Sequence, residues 1–151
     1  MRAPYNVLVL PYFLGKERPL FCILKRSDLN IWQFIAGGGE DDEPPLTAAR
    51  RESLEEAGIP MEKEYRKLES MCYVPANSFS KEAQEAWGKY VVPVYTYCVN
   101  VDTLEIKLSH EHTEFKWCTC EEAMRSVHFD SDRTALYELN ERIRCNDWSG
   151  C

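Results

Sequence analysis

The chain has 151 residues, a formal net charge of −7 at pH 7 and 44% hydrophobic residues. This length suits one hydrophobic core, so we predict a single domain spanning residues 1–151. The negative charge argues against a broad nucleic-acid or anionic-membrane surface, because both need basic stripes on the protein. It does not exclude a phosphorylated substrate, since a bound cation can reverse the local field.

The terminus and the cysteines indicate the compartment. Pro11 breaks the N-terminal apolar run, which lacks a convincing cleavage site, so a secretory signal is not expected. No apolar stretch reaches membrane-spanning length. Most of the seven cysteines lie in apolar runs, as reduced thiols do in cytoplasmic proteins. Cys118 and Cys120 have no partner pair at zinc-finger spacing, so we predict a cytoplasmic protein without structural zinc.

The first half of the chain predicts strands followed by a helix. Apolar runs at Tyr5–Tyr12 and Leu20–Lys25, with a turn-prone segment between them, indicate neighbouring strands. A third strand, Trp32–Ala36, leads into Gly37–Gly39. Two prolines then open a segment of good helix formers, and Gly58 is predicted to end that helix.

The second half continues the alternation of strands and helices. We predict strands at Arg66–Val74, Tyr90–Val101 and Glu114–Thr119, with a short helix at Lys81–Trp87 between the first two. Pro93 indicates a sheet edge or a bulge within its strand.

Two amphipathic helices are predicted at Glu121–Ser126 and Asp132–Arg144, the second capped by Asp130 or Ser131. Its apolar stripe is expected to face the core: Leu136, Leu139 and Ile143. This order of elements favours an α/β fold with a mixed β-sheet and helices on both sides.

The helix after the glycines has an unusual acidic face. Glu52, Glu55 and Glu56 fall within about a third of its circumference, because residues i, i+3 and i+4 are surface neighbours. Like charges at this spacing destabilise a helix by about 0.2–0.5 kcal/mol per pair. Mg2+ would relieve the repulsion, since it takes oxygen ligands from a few carboxylates and keeps waters for substrate phosphates. A solvated acidic face is the ordinary alternative for such a run.

The surrounding spacing favours the metal interpretation. The stretch Gly37–Ile59 reads GGGEDDEPPLTAARRESLEEAGI and resembles the Nudix box. Its fixed positions arise by chance on the order of once in a million. The resemblance implies the Nudix-type α/β/α sandwich and an enzyme of the Nudix hydrolases. Ser53 departs from the family, which usually has an aliphatic residue there, and is expected to weaken helix packing while leaving the metal ligands in place.

The acidic face and the resemblance together give a predicted metal site for Mg2+, with Mn2+ as an alternative ion. Glu55 and Glu56 are the first candidate ligands, with Glu52 beside them as ligand or catalytic carboxylate. The resemblance adds a carbonyl oxygen of Gly37 or Gly38 to the ligand set.

Two further box residues have supporting roles by resemblance. Arg51 is expected to orient a box glutamate through a forked ion pair, which makes it part of the catalytic machinery. Glu43 is expected to be structural and tied to that arginine and the loop, although a ligand role is the alternative.

A further carboxylate is needed outside the box, as general base or added ligand. Glu111 is the best candidate, because its segment resembles the Glu-His-x-x-aromatic-x-Trp signature of some Nudix enzymes and ends here at Phe115 and Trp117. Glu114 is the alternative base, and an exposed loop charge is the ordinary alternative for Glu111.

Aromatic side chains are the candidates for substrate contact. Trp32, Phe34, Tyr73 and Phe79 offer rings on which a base would stack, at about 1–3 kcal/mol per base, although each alone is more often core. Looser motifs, beginning with Asp28–Gly38, resemble the branch containing bacterial dATP and dihydroneopterin triphosphate pyrophosphohydrolases.

The resemblance therefore implies that the substrate is a small phosphorylated metabolite, a nucleoside or pterin triphosphate that releases pyrophosphate. Three alternatives stay open: a dinucleoside polyphosphate (Ap4A-type) hydrolase, a non-catalytic ligand-sensing Nudix domain and an acidic protein-binding module. No nucleic-acid or membrane partner is expected.

Overall fold

A computed structural model describes residues 1–151, and its elements follow the predicted order, except that the strand predicted at Trp32–Ala36 is divided at Phe34 into two strands. They are β1 (Arg2–Leu14), β2 (Pro19–Arg26), β3 (Trp32–Gln33), β4 (Ile35–Glu40), α1 (Pro45–Ala57), β5 (Tyr65–Pro75), α2 (Lys81–Trp87), β6 (Val91–Val101), β7 (His112–Cys118), α3 (Cys120–Ser126) and α4 (Asp130–Cys145). A single 3-10 turn, Ala76–Ser78, separates β5 from α2.

The seven strands form one mixed sheet around β1. β1 runs parallel to β6 over Asn6–Phe13. On its other side β1 pairs antiparallel with β4 and, further along, with β2. β2 in turn pairs with β3 and β7, and β5 pairs with the far side of β6.

Alternate residues of β1 build two separate cores, one on each face of the sheet. Val7 and Val9 are fully buried in a cluster that includes alanines of α1. Leu8 and Leu10 point the other way, into a cluster with α3 and α4. Burial of each such side chain contributes about 1.5–3 kcal/mol to stability. The predicted α/β/α sandwich with a mixed sheet is therefore confirmed.

The apolar stripe predicted on the last helix lies in the second of these cores. Leu136 and Leu139 are fully buried there, and Ile143 packs against them partly buried. The prediction that this stripe is core is confirmed.

The start of α4 differs from the prediction. The helix begins at Asp130, and the residue before it, Phe129, makes no side-chain capping hydrogen bond, so the predicted cap by Asp130 or Ser131 is wrong. The carboxylate of Asp132 instead accepts the backbone N–H of Phe34 at 2.9 Å. An acid in the first turn thus makes a long-range hydrogen bond rather than a local cap.

The edge predicted from Pro93 is also wrong for the strand as a whole, because β6 lies between β1 and β5. The ladder with β1 begins only at Val94. Pro93 pairs with Tyr73 of β5 alone, so β6 is locally unpaired on one side where the proline lacks its N–H.

The cysteines are all free thiols, and three of them, Cys22, Cys98 and Cys118, are buried within strands. None of the helices combines the length and the apolar character required to cross a bilayer.

Candidate active site

Glycine lets α1 lie directly against β4. A Cβ placed on Gly37 would fall 2.2 Å from the carboxyl carbon of Glu52, so no larger residue fits while that glutamate keeps its position. The helix begins after Pro44 and ends at Gly58, whose φ of 70° is left-handed, as predicted. The missing side chain at Gly37 therefore lets the face of α1 that carries Glu52 meet β4.

Arg51 links the box residues through a network of hydrogen bonds. Its Nε and Nη2 donate to the two carboxylate oxygens of Glu43, each at 2.9 Å. Its Nη1 donates to Glu52 at 3.1 Å and to Glu55 at 3.2 Å. Nη2 also donates to the carbonyl of Gly38 at 2.8 Å. The fork therefore closes on Glu43, and the Gly38 oxygen proposed for metal already has a protein donor.

The charge of Arg51 acts most strongly on Glu43. The hydrogen bonds from the guanidinium hold the pKa of this carboxyl below its usual range. Glu52 behaves differently, because burial raises its pKa and the nearby charges of Glu55 and Glu111 add to that effect, against the opposing charge of Arg51.

Glu56 is the most deeply buried of the box glutamates. It accepts a hydrogen bond from the Ser109 hydroxyl at 3.0 Å. Burial, followed by the adjoining carboxyl of Glu111, raises the pKa of Glu56 to about 7. His112 Nδ1 lies 3.0 Å from a Glu56 oxygen without hydrogen-bond alignment, and burial lowers the pKa of this histidine. Glu56 thus shares its site with a neutral imidazole and another acid.

The backbone of Glu111 is held by a distant turn. The N–H and the hydroxyl of Ser27 both donate to its carbonyl, at 2.9 and 3.0 Å. The Glu111 N–H in turn donates to Ser109 Oγ at 3.3 Å. The segment before β7 is thereby fixed beside α1, which brings the predicted Glu111 to the box carboxylates.

These acidic groups suit a hard divalent cation. Glu56 is buried and Glu52 is half-buried, and the pKa of each rises further because Glu111 is near. Oxygen ligands of this kind suit Mg2+. The side chain of Glu55 is 53% exposed, and Arg51 holds one of its oxygens at 3.2 Å. The carboxylates do not already form a preassembled three-ligand cluster. An ion that keeps several water ligands fits such an open arrangement.

A cavity of about 800 Å³ adjoins this acidic group. Its size lies within the range of small-molecule sites, about 300–1,000 Å³. Gly37 and Glu111 line it, as do Phe79, Gln33 and Asp132. The cavity therefore connects the box to the first turn of α4.

Of the four aromatic residues predicted to touch substrate, one lines the cavity, namely Phe79. Phe34 is fully buried in the core and has no free ring face, which contradicts a stacking role. Trp32 lies under the ammonium groups of two lysines, and Tyr73 is 60% exposed on β5. Successive side chains of a strand point to opposite faces, so a strand that turns Gln33 to the cavity turns its aromatic neighbours away.

Sequence reasoning missed several polar residues of the cavity. Arg2 lies over the Phe79 ring, 5.1 Å from its centroid, and donates to the side chain of Asn6. No carboxylate lies within 4.0 Å of its guanidinium, so its charge is available to an anion. Gln33 and Asp132 were missed as well. No local pattern marks these residues, because only the tertiary fold brings them together.

Comparisons with known proteins agree with this geometry. The NUDIX domain family matches residues 3–139. A Listeria monocytogenes structure assigned to the Nudix hydrolases is 36% identical, with a TM-score of 0.89 over 99% of this chain and 100% of that one.

Two more distant structures share the fold. The E. coli dihydroneopterin triphosphate pyrophosphohydrolase is 21% identical, with a TM-score of 0.75 over 93% of this chain and 97% of its own. A C. elegans Ap4A hydrolase is 22% identical, with a TM-score of 0.74 over 95% and 99%.

The fold and the acidic site define a hydrolase that acts on phosphorus-containing anhydrides. The chain belongs to the Nudix family. Members of this family generally use divalent metal ions.

Proposed function

We propose that this Nudix hydrolase is a Mg2+-dependent pyrophosphohydrolase that cleaves a nucleoside- or pterin-type triphosphate and releases pyrophosphate. The observation that carries the proposal is the cavity that runs from Gly37 of the box and Glu111 to Asp132 at the start of α4. A small molecule with a phosphate chain at one end and a flat heterocycle at the other fits both parts.

The carboxylates of α1 would hold the ion. Glu55 and Glu56 are the first ligands, with Glu52 beside them and the Gly37 carbonyl at the edge of the cavity. When bound, Mg2+ supplies neutralisation of the phosphate oxygens and a more acidic water molecule. Arg51 holds Glu52 and Glu55 in place through its hydrogen bonds.

Two further residues act on the substrate side. Glu111 lines the cavity beside Glu56 and would accept the proton of the attacking water. Arg2, whose guanidinium has no carboxylate partner, would bind the phosphate chain.

A dinucleoside polyphosphate hydrolase is the second candidate, favoured by the Glu-His-to-Trp segment ending at Trp117. In this structure Trp117 donates its Nε1–H to the carbonyl of Leu104 at 2.9 Å and packs against Phe13. It does not line the cavity, nor do Trp32 and Tyr73. The phenyl rings that line the cavity are those of Phe79 and Phe129, so no tryptophan or tyrosine ring is available there to stack a second nucleoside.

The test is a hydrolysis screen with purified protein and Mg2+ or Mn2+. The panel contains dNTPs, dihydroneopterin triphosphate, diadenosine polyphosphates and nucleotide sugars. Products are separated by anion-exchange chromatography, which detects a monophosphate and pyrophosphate from a triphosphate and two nucleotides, such as ATP and AMP, from a diadenosine polyphosphate. We expect pyrophosphate from triphosphates. Hydrolysis of diadenosine polyphosphates alone would favour the second candidate, and no hydrolysis with either ion would overturn both.

A further inference from the structure

Two buried polar side chains lie in the floor of the cavity, where the chain at β3 meets the start of α4. Gln33 of β3 is 6% exposed and Asp132 of α4 is 2% exposed, and both line the cavity. Apolar residues also line the cavity, together with the polar groups of the β2 end and of the segment before β7: Leu8, Leu29, Cys72, Val74, Val94 and Phe129. Buried polar groups in an apolar pocket fix the orientation of a ligand.

The carboxylate of Asp132 is incompletely partnered. One oxygen accepts the Phe34 N–H at 2.9 Å, and the other has only the Ser131 hydroxyl at 3.5 Å, the outer limit of a hydrogen bond. The neighbouring cation, Arg133, pairs with Asp130 instead. A buried carboxylate with an oxygen so weakly bound is costly unless a donor is supplied.

Asp132 is nevertheless a carboxylate at neutral pH. Burial raises its pKa to about 6, against the opposing effect of the hydrogen bond from Phe34. It therefore presents a hydrogen-bond acceptor to the cavity in the pH range where the enzyme would work.

Gln33 complements this acceptor. Its side-chain amide makes no hydrogen bond within the protein and carries both a donor and an acceptor. The four residue steps from Gln33 to Gly37 span at most about 14 Å of chain. A ring at the floor and phosphates at the box can thus belong to one small molecule.

We propose that Asp132 and Gln33 select a heterocycle with a 2-amino-4-oxopyrimidine edge, the edge that guanine and pterins share. Adjacent ring N–H and amino donors of this edge would meet the Asp132 carboxylate, and the amide of Gln33 would pair with the remaining polar atoms. Adenine presents a bare ring nitrogen beside its amino group, so its lone pair would face the carboxylate. This inference names the ring of the substrate and rests on the proposed function for the phosphate end.

The experiment compares kcat/KM for dGTP, dITP, dATP and dihydroneopterin triphosphate. Wild-type protein should prefer dGTP and the pterin, and dITP should fall below dGTP because it lacks the 2-amino donor. In Asp132→Asn the side-chain oxygen can still accept the Phe34 N–H, whereas the amide NH2 group faces the cavity as a donor. This substitution should lower kcat/KM for dGTP and the pterin by about 10–100-fold, the worth of a hydrogen bond to a charged group, and spare dATP.

Two further variants keep the test decisive. Asp130→Asn removes a carboxylate whose side chain is 99% exposed on the same helical turn, so it should change none of the four values. Gln33→Leu should lower the preference for dGTP over dATP even where Asp132→Asn fails to fold. Equal kcat/KM for dGTP and dATP in wild type, or an equal loss on all four substrates in both floor variants, would overturn the inference.

Calorimetry with guanosine and neopterin, which carry no phosphate chain, separates this inference from the proposed function. Binding to wild type that is lost in Asp132→Asn supports the ring assignment even if no triphosphate is hydrolysed. The tighter of the two ligands identifies whether the ring comes from a nucleoside or a pterin. If neither compound binds and kcat/KM is the same for all four triphosphates, the ring assignment is refuted while the proposed pyrophosphohydrolase activity stands.

Discussion

The two ends of the cavity are built in different ways. The proposed phosphate end comes mostly from one continuous stretch, residues 37–59, in which neighbours along the helix are also neighbours in the site; Glu111 and Arg2 complete it. The floor depends on a contact between Phe34 and Asp132, which lie 98 residues apart. A short-range site leaves a motif in the sequence, whereas a long-range site leaves only residues that look ordinary. Variants at each end can therefore separate turnover from recognition of the ring.

The largest effect is expected from the acids of α1. Glu55→Gln and Glu56→Gln should each lower kcat more than about 100-fold for every substrate. Loss of a residue that only supports a metal ligand costs about 10–100-fold, and loss of a ligand itself should cost more. Steady-state turnover with saturating Mg2+ measures the loss, and circular dichroism checks the fold. Glu85→Gln, at an exposed position on α2, is the control. Near-normal turnover in both variants would remove these residues from the metal site.

Arg51→Gln should damage stability as well as turnover. The Arg51 side chain is 21% exposed and those of Glu43 and Glu52 are 14% and 13% exposed, so its loss leaves half-buried acids without a cation. We expect a decrease of about 3 kcal/mol in the free energy of unfolding, measured with urea. Arg51→Lys should recover part of the charge but not the fork to Glu43. Full activity in Arg51→Lys would show that the fork is dispensable.

Asp132→Asn should change how stability depends on pH. The folded-state pKa of about 6 exceeds the ordinary value of 3.8, so the fold favours the protonated acid. This contribution is complete below about pH 4 and is lost as the pH rises through about 6, a loss of about 2–3 kcal/mol. Urea unfolding at pH 4 and pH 7 should show the variant gaining on wild type as the pH increases. A constant difference between the two proteins would contradict the shifted pKa.

Gly37→Ala tests the close approach of helix and strand. The added Cβ would collide with the Glu52 carboxyl, so this side chain must move, and we expect kcat to drop by about tenfold or more. Gly88→Ala is the matched control, because nothing lies within 4 Å of its Cβ and only its φ of 60° is unfavourable. It should cost about 1–2 kcal/mol of stability and leave kcat unchanged. Equal losses of activity in both variants would argue against the specific clash.

The smallest effect is expected at Ser53, where the chain departs from the family pattern. Its hydroxyl and that of Tyr65 are buried without hydrogen bonds of good geometry. Replacing both, as Ser53→Ala with Tyr65→Phe, should change stability by less than about 1 kcal/mol, because removal of two poorly paired polar groups is often neutral or favourable. Chemical denaturation measures the difference. A large loss would reveal a hydroxyl pair that matters more than its geometry indicates.

The order of elements could be predicted from the sequence because its signals are local. The two prolines and Gly58 mark the ends of α1, and the apolar runs predict the strands. The aromatic substrate contacts could not be predicted in the same way. Trp32 and Phe34 flank Gln33, and an apolar–polar–apolar triplet does not say which face of the strand will meet a cavity. The cap expected at Asp130 or Ser131 failed because the helix begins earlier than predicted, at Asp130, so both residues lie within its first turn.

The gap of one residue between β3 and β4 has a wider consequence. Before Phe34 the backbone pairs with β2, and after it the backbone pairs with β1, while the unpaired N–H at the gap goes to Asp132. The register of β3 is set by β2 and that of β4 by β1, so a shift of β3 does not require a shift of β4. A substitution at Gln33 can therefore alter the floor of the cavity while Gly37 keeps its position against Glu52.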